Sequence, residues 1–107
     1  EVLAMSIVTV TKENFQKEVM ESDKVVLLDF WAPWCGPCRM LGPVLEEIAA
    51  ASPEYKICKI NVDEQSELAT QFQVMSIPLV AVMKNGTVHS TAVGFKPKEY
   101  IEKMLKV

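Results

Sequence analysis

The sequence predicts an α/β fold: a central mixed sheet of five strands, flanked by four helices on both faces. Three observations carry this. Segments of strand character alternate with segments of helical periodicity, the pattern of crossover units that lay helices on a sheet. Val25–Trp31 and Leu79–Met83 are nearly unbroken apolar runs of strand length, as strands buried on both faces require. Lys84-Asn85-Gly86-Thr87 is a two-residue hairpin signal, which returns the following strand antiparallel and makes the sheet mixed.

In chain order, Ile7–Val10 reads as a short strand. Thr11 offers an N-cap to a helix running to about Met20, with Phe15 and Val19 turned inward. Ser22-Asp23-Lys24 turns the chain into the central strand. Met40, Leu41, Val44, Leu45 and Ile48 then recur at helical spacing up to about Ala51, where Ser52-Pro53 stops the helix. Gly42-Pro43 inside it should produce a kink. Tyr55–Val62 is the next strand, followed by a polar helix over about 64–72. Leu79–Met83 and Thr87–Val93 form the hairpin, and Pro97 opens a last helix to about Leu105.

The chain has 107 residues, half of them hydrophobic and 23% charged, which suits one domain over 1–107 with a real core. A net charge of −3 without a basic cluster argues against a nucleic-acid partner. No apolar run approaches a membrane span, and no secretory leader is visible. Three cysteines are too few, and odd in number, for a disulfide scaffold. They fit a reducing compartment, the cytoplasm, with one reactive pair and one spare thiol. Met5 is the expected native start, with residues 1–5 a flexible N-terminus or an added remnant.

Chemistry concentrates in Trp34-Cys35-Gly36-Pro37-Cys38, where the apolar strand ends and the amphipathic helix begins. Unpaired N–H groups and the positive end of a helix dipole favour an anion there, and a thiolate is one. Pro37 suits a first turn, and Cys38 follows Cys35 by about one turn. This is a site for thiol–disulfide exchange. The alternative is a zinc half-site, but that needs about four ligands, and only Cys58 and His89 remain as soft candidates.

These features together resemble the thioredoxin family. The likeness covers Leu28-Asp29-Phe30-Trp31-Ala32, the motif Trp34–Cys38, Pro43, and Lys59-Ile60-Asn61-Val62-Asp63. It continues through Met75-Ser76-Ile77-Pro78, Lys84-Asn85-Gly86 and Val93-Gly94, in the family's order and spacing. The departures are Arg39 where lysine is common, Leu79 where threonine is usual, and Phe95 where a smaller residue is frequent. Arg39 keeps the positive charge; Leu79 and Phe95 lie near the expected docking surface and bear on client preference, leaving the chemistry unaltered.

The resemblance implies a thioredoxin fold and a protein-disulfide reductase, an electron carrier for cell redox homeostasis. Cys35 is the expected nucleophile and Cys38 the resolving thiol, closing a Cys35–Cys38 disulfide at each turnover. Asp29 should take the Cys38 proton, since a carboxyl inside an apolar strand has a raised pKa. Lys59, which the resemblance places on the neighbouring strand, should be its ion-pair partner. Gly36 and Pro37 tune the redox potential and mark a reductant. Pro78 is expected to be cis and to face the cysteines, and Trp34, Ile77, Val93 and Gly94 to complete an apolar docking patch with it. Trp31 should support the loop from beneath. No bound cofactor or metal is implied, and no nicotinamide or flavin motif occurs. Electrons would come through a thioredoxin reductase, and clients would be disulfide-containing proteins met by a monomer. Cys58 reads as a buried inert thiol, His89 as a surface residue and the six methionines as core filler. Two other readings stay open on residues alone: a disulfide oxidase or isomerase, which Gly36-Pro37 argues against, and a non-enzymatic binding subunit.

Overall fold

Strand β2 (Val25–Trp31) is the centre of the molecule, and its sequence explains why. Successive side chains of a strand point to opposite faces. Here Val26, Leu28 and Phe30 enter one core layer, while Leu27 enters the other. Both faces are covered, so an unbroken apolar run is what the position demands.

The computed structural model describes residues 7–107, so the expectation for residues 1–5 lies outside the described residues. The remaining strands are β1 (Ile7–Thr9), β3 (Tyr55–Asn61), β4 (Leu79–Lys84) and β5 (Thr87–Val93). The helices are α1 (Gln16–Met20), α2 (Gly36–Ala51), α3 (Ser66–Gln71) and α4 (Lys98–Leu105). The sheet order is β1-β3-β2-β4-β5. β1 and β2 both pair parallel with β3, whereas β4 is antiparallel to β2 and to β5. The mixed five-stranded sheet with four helices is therefore as expected.

One core layer joins Phe15 and Val19 of the first helical segment and Leu68 of α3 to Leu28, Phe30, Cys58 and Ile60 of the sheet. Phe72 closes it with ring centroids 5.9 Å from Phe15 and 5.2 Å from Phe30. The other layer packs Leu41, Leu45 and Ile48 of α2 and Ile101 and Leu105 of α4 against Leu27, Ile57 and Val82.

The first helix departs from expectation. Thr11 makes no cap: its backbone N–H donates to Asn14 Oδ1 at 2.8 Å, and Asn14 Nδ2 donates to the Thr9 carbonyl at 3.0 Å. An Asn side chain bonding its own neighbourhood competes with helix formation. The helix starts only at Gln16, as a wide turn in which Glu21 N–H reaches Gln16 O at 2.9 Å. α3 also starts late, because Asn61 Oδ1 accepts from Asp63 N–H at 2.9 Å and holds a turn there. Pro43 lies inside α2, which continues past it to Ala51. Cys58 is buried and free, and His89 is exposed on β5.

Candidate active site

The site lies where β2 hands the chain to α2. Cys35 is the N-cap residue of α2, in extended conformation with φ −91° and ψ 115°. An N-cap side chain accepts from the second or third helical N–H. The second is Pro37, which has none, so the bond comes from the third: Cys38 N–H donates to Cys35 Sγ at 3.2 Å. The loop is held from both ends. Cys35 N–H donates to Ala32 O at 3.2 Å, and Arg39 Nη1 reaches Pro33 O at 2.9 Å. Arg39 thus clasps the loop, a role its sequence position did not reveal.

Cys35 and Cys38 are joined as a disulfide, with their Cα atoms 5.3 Å apart. Both are almost fully buried, at 5% and 4% exposure, and Trp31 packs against them together with Ala32. Cys35 Sγ lies 3.8 Å from the carbonyl oxygen of Ile77, and the Ile77–Pro78 peptide is cis. Gly94, at φ +92°, donates its N–H to Pro78 O at 2.8 Å, which brings Val93-Gly94 alongside Pro78. Among the described residues, and apart from its chain neighbours and its own helix backbone, no atom lies within 4 Å of where a Gly36 Cβ would be, so an approaching molecule would meet a side chain there.

Trp34 is 67% exposed, and its Nε1 donates to Asp63 Oδ2 at 3.0 Å. Beside it opens an apolar groove of about 190 Å³, lined by Trp34, Val62, Val74, Met75, Ser76 and Ile77. The sequence alone does not single out Asp63 and Met75 as site residues. The Trp34–Asp63 bond spans 29 residues, so no local spacing could announce it. Met75, at 92% exposure, is the one methionine among the described residues that stands almost wholly in solvent, and composition alone reads it as filler.

Asp29 is fully buried, and neither carboxyl oxygen has a hydrogen-bond partner among the described residues. Burial raises its pKa from 3.8 to about 7, with the positive charge of Lys59 pulling the other way. Asp29 and Lys59 are register partners on β2 and β3. The expected ion pair is nevertheless not made. Lys59 Nζ sits over the Trp31 ring instead, 4.2 Å from its centroid. Cys58 lies in the opposite core layer, where burial pushes its thiol up to about 12. It does not join the cysteine pair.

The sequence model of one family, Thioredoxin, matches residues 6–107. The chain belongs to the thioredoxin family. It is 51% identical over 102 residues to the thioredoxin of Bacillus subtilis (strain 168), covering 94% of this chain and 96% of that protein. Against the thioredoxin of Alicyclobacillus acidocaldarius subsp. acidocaldarius the identity is 48%, covering 91% and 92%. Against thioredoxin 2 of Chlorobaculum tepidum it is 50%, covering 89% and 88%. As a thioredoxin-family chain with a cysteine pair that closes a disulfide, it is a dithiol–disulfide oxidoreductase acting on protein disulfides. No helix among the described residues is long and apolar enough to cross a membrane.

Proposed function

We propose that this chain reduces client disulfides by a two-step exchange in which Cys35 attacks and Cys38 resolves. The observation that carries the reading is the Cys38 N–H aimed at Cys35 Sγ from the first turn of α2. That donor, and the helix end behind it, stabilise negative charge on the sulfur once the pair is reduced. Cys35 thiolate attacks one sulfur of the client disulfide; that S–S bond breaks, and the client's other sulfur leaves as a thiolate. Cys38 then gives its proton to Asp29 through a bridging water and attacks Cys35 Sγ. The mixed disulfide breaks, the client's second sulfur leaves as a thiolate, and Cys35–Cys38 forms. Two electrons have passed to the client, and its two thiolates take up protons.

A carboxyl with a pKa of about 7 is matched to this transfer near neutral pH. Lys59 acts on Asp29 through its field rather than by contact. Clients dock on Trp34, Ile77, Pro78, Val93 and Gly94, with the Ile77 backbone offered to an extended segment. Gly36 leaves room for that segment and Pro37 restricts the loop, which together keep the potential low. A thioredoxin reductase recharges the pair, and the carrier works as a monomer in the cytoplasm.

Two variants test the chemistry with a disulfide-containing client. Cys35→Ser should abolish reduction, while Cys38→Ser should accumulate a Cys35-linked mixed disulfide visible by non-reducing electrophoresis and mass spectrometry. Trapping on Cys38 in the Cys35→Ser chain instead would reverse the two roles. A potential titration, read by the fluorescence of Trp31 and Trp34, should place the pair well below glutathione, the range known for this family.

A further inference from the structure

Asp29 and Lys59 stand opposite each other on adjacent strands, yet no side chain or backbone group among the described residues hydrogen-bonds the carboxyl, and the ammonium lies on an indole. The register explains how both can be true. Leu27, Asp29 and Trp31 share one face of β2, and Ile57, Lys59 and Asn61 share the same face of β3. From Lys59, Asp29 is the direct neighbour and Trp31 the diagonal one, within reach of a long side chain. Trp31 and Lys59 are both half-buried, so the diagonal contact seats the ammonium where burial is less complete than at Asp29. Moving it to Asp29 would carry a second charge into a fully buried spot.

We propose that Trp31 is a positioning residue whose ring seats the Lys59 ammonium and holds it off the Asp29 carboxyl. This rests on the reading of Asp29 as the proton acceptor of Cys38. A lysine in direct contact would hold the carboxyl ionised at neutral pH, and an acceptor that is always ionised is a weaker base. Seated on the ring, the same lysine acts only from a distance. No other charged side chain among the described residues faces Asp29. From β4 it meets Val80; on α2 the only buried titratable residue is Cys38, with Glu46 and Glu47 exposed; the buried residues of α4 are Ile101 and Leu105.

The test is a ¹³C NMR titration of the Asp29 carboxyl in the oxidised chain, where neither active-site thiol titrates. The wild-type midpoint should lie near 7. In Trp31→Leu it should fall by about 1 pH unit or more as Lys59 closes on the carboxyl. Trp31→Phe, which keeps a weaker ring, should fall less. Trp31→Leu combined with Lys59→Met should recover the wild-type midpoint or exceed it. An unmoved midpoint in Trp31→Leu, or the same fall without Lys59, overturns the proposal. Should Trp31→Leu not fold, the smaller fall in Trp31→Phe carries the comparison. The wild-type chain gives an independent check: the Lys59 Hε protons should be shifted upfield by the ring, and random-coil positions overturn the arrangement. The pH profile of mixed-disulfide resolution separates the two readings. If midpoints move as stated while that profile does not follow, the ring and lysine stand as described and the proton role of Asp29 falls.

Discussion

A fully buried carboxyl that no protein group among the described residues hydrogen-bonds destabilises the fold when it ionises, and Asp29 shows the sign of that effect. Its folded pKa of about 7 lies above the ordinary 3.8, so between these values the native state binds more protons than the unfolded one. Stability contributed by this residue is therefore fully present below about pH 4 and is lost as pH rises through 7. Asp29→Asn, which resembles the protonated acid, should match wild type near pH 4 in urea unfolding. At pH 8 it should be more stable by roughly 4 kcal/mol, close to the full span of the shift at about 1.4 kcal/mol per pH unit. Equal stability at both pH values would show that Asp29 ionises freely in the folded chain. The oddity of an acid inside an apolar run was readable in Val25–Trp31. What Lys59 does was not, because register sets who is opposite whom, while rotamers decide which neighbour a four-carbon side chain chooses.

Elements were legible where a periodic apolar pattern met a strong terminator. β5 and the end of α2 at Ala51 fall where turn and proline signals put them. The boundary that moved furthest is the start of α1, where two polar side chains compete for the same backbone groups. Thr11 looks like a cap in sequence, but Asn14 holds its N–H and the Thr9 carbonyl together. Asn14→Ala should cost about 1 kcal/mol in denaturant midpoint. Thr11→Ala should stay within about 0.5 kcal/mol, since its hydroxyl caps nothing. A larger loss from Thr11→Ala would restore the cap that the sequence pattern suggests. α2 needs no such help, because its N-cap is the reactive cysteine itself.

Across the whole molecule, the site gathers residues distant in sequence: Cys35 and Cys38 after β2, Asp63 after β3, Met75 to Pro78 before β4, and Gly94 after β5. Local reasoning found the pieces that carry a motif, Trp34–Cys38 and Ile77-Pro78. It missed Asp63 and Met75, whose roles exist only once the sheet order places their loops beside Trp34. The reactive bond spans one helical turn, between residues three apart, and is anchored on a strand paired on both sides. Opening it should thus leave the sheet and its helices in place. Amide shift changes between oxidised and reduced protein should therefore cluster around the loop ends that face Cys35, with the ladders of β2 and β3 unchanged. Loss of slow-exchanging amides in β2 on reduction would contradict this. The chain then resembles a capacitor more than a machine: charge is stored at one terminal, and the casing keeps its shape in both states. A partner cannot read the charge from the molecule's outline. It has to touch the terminal.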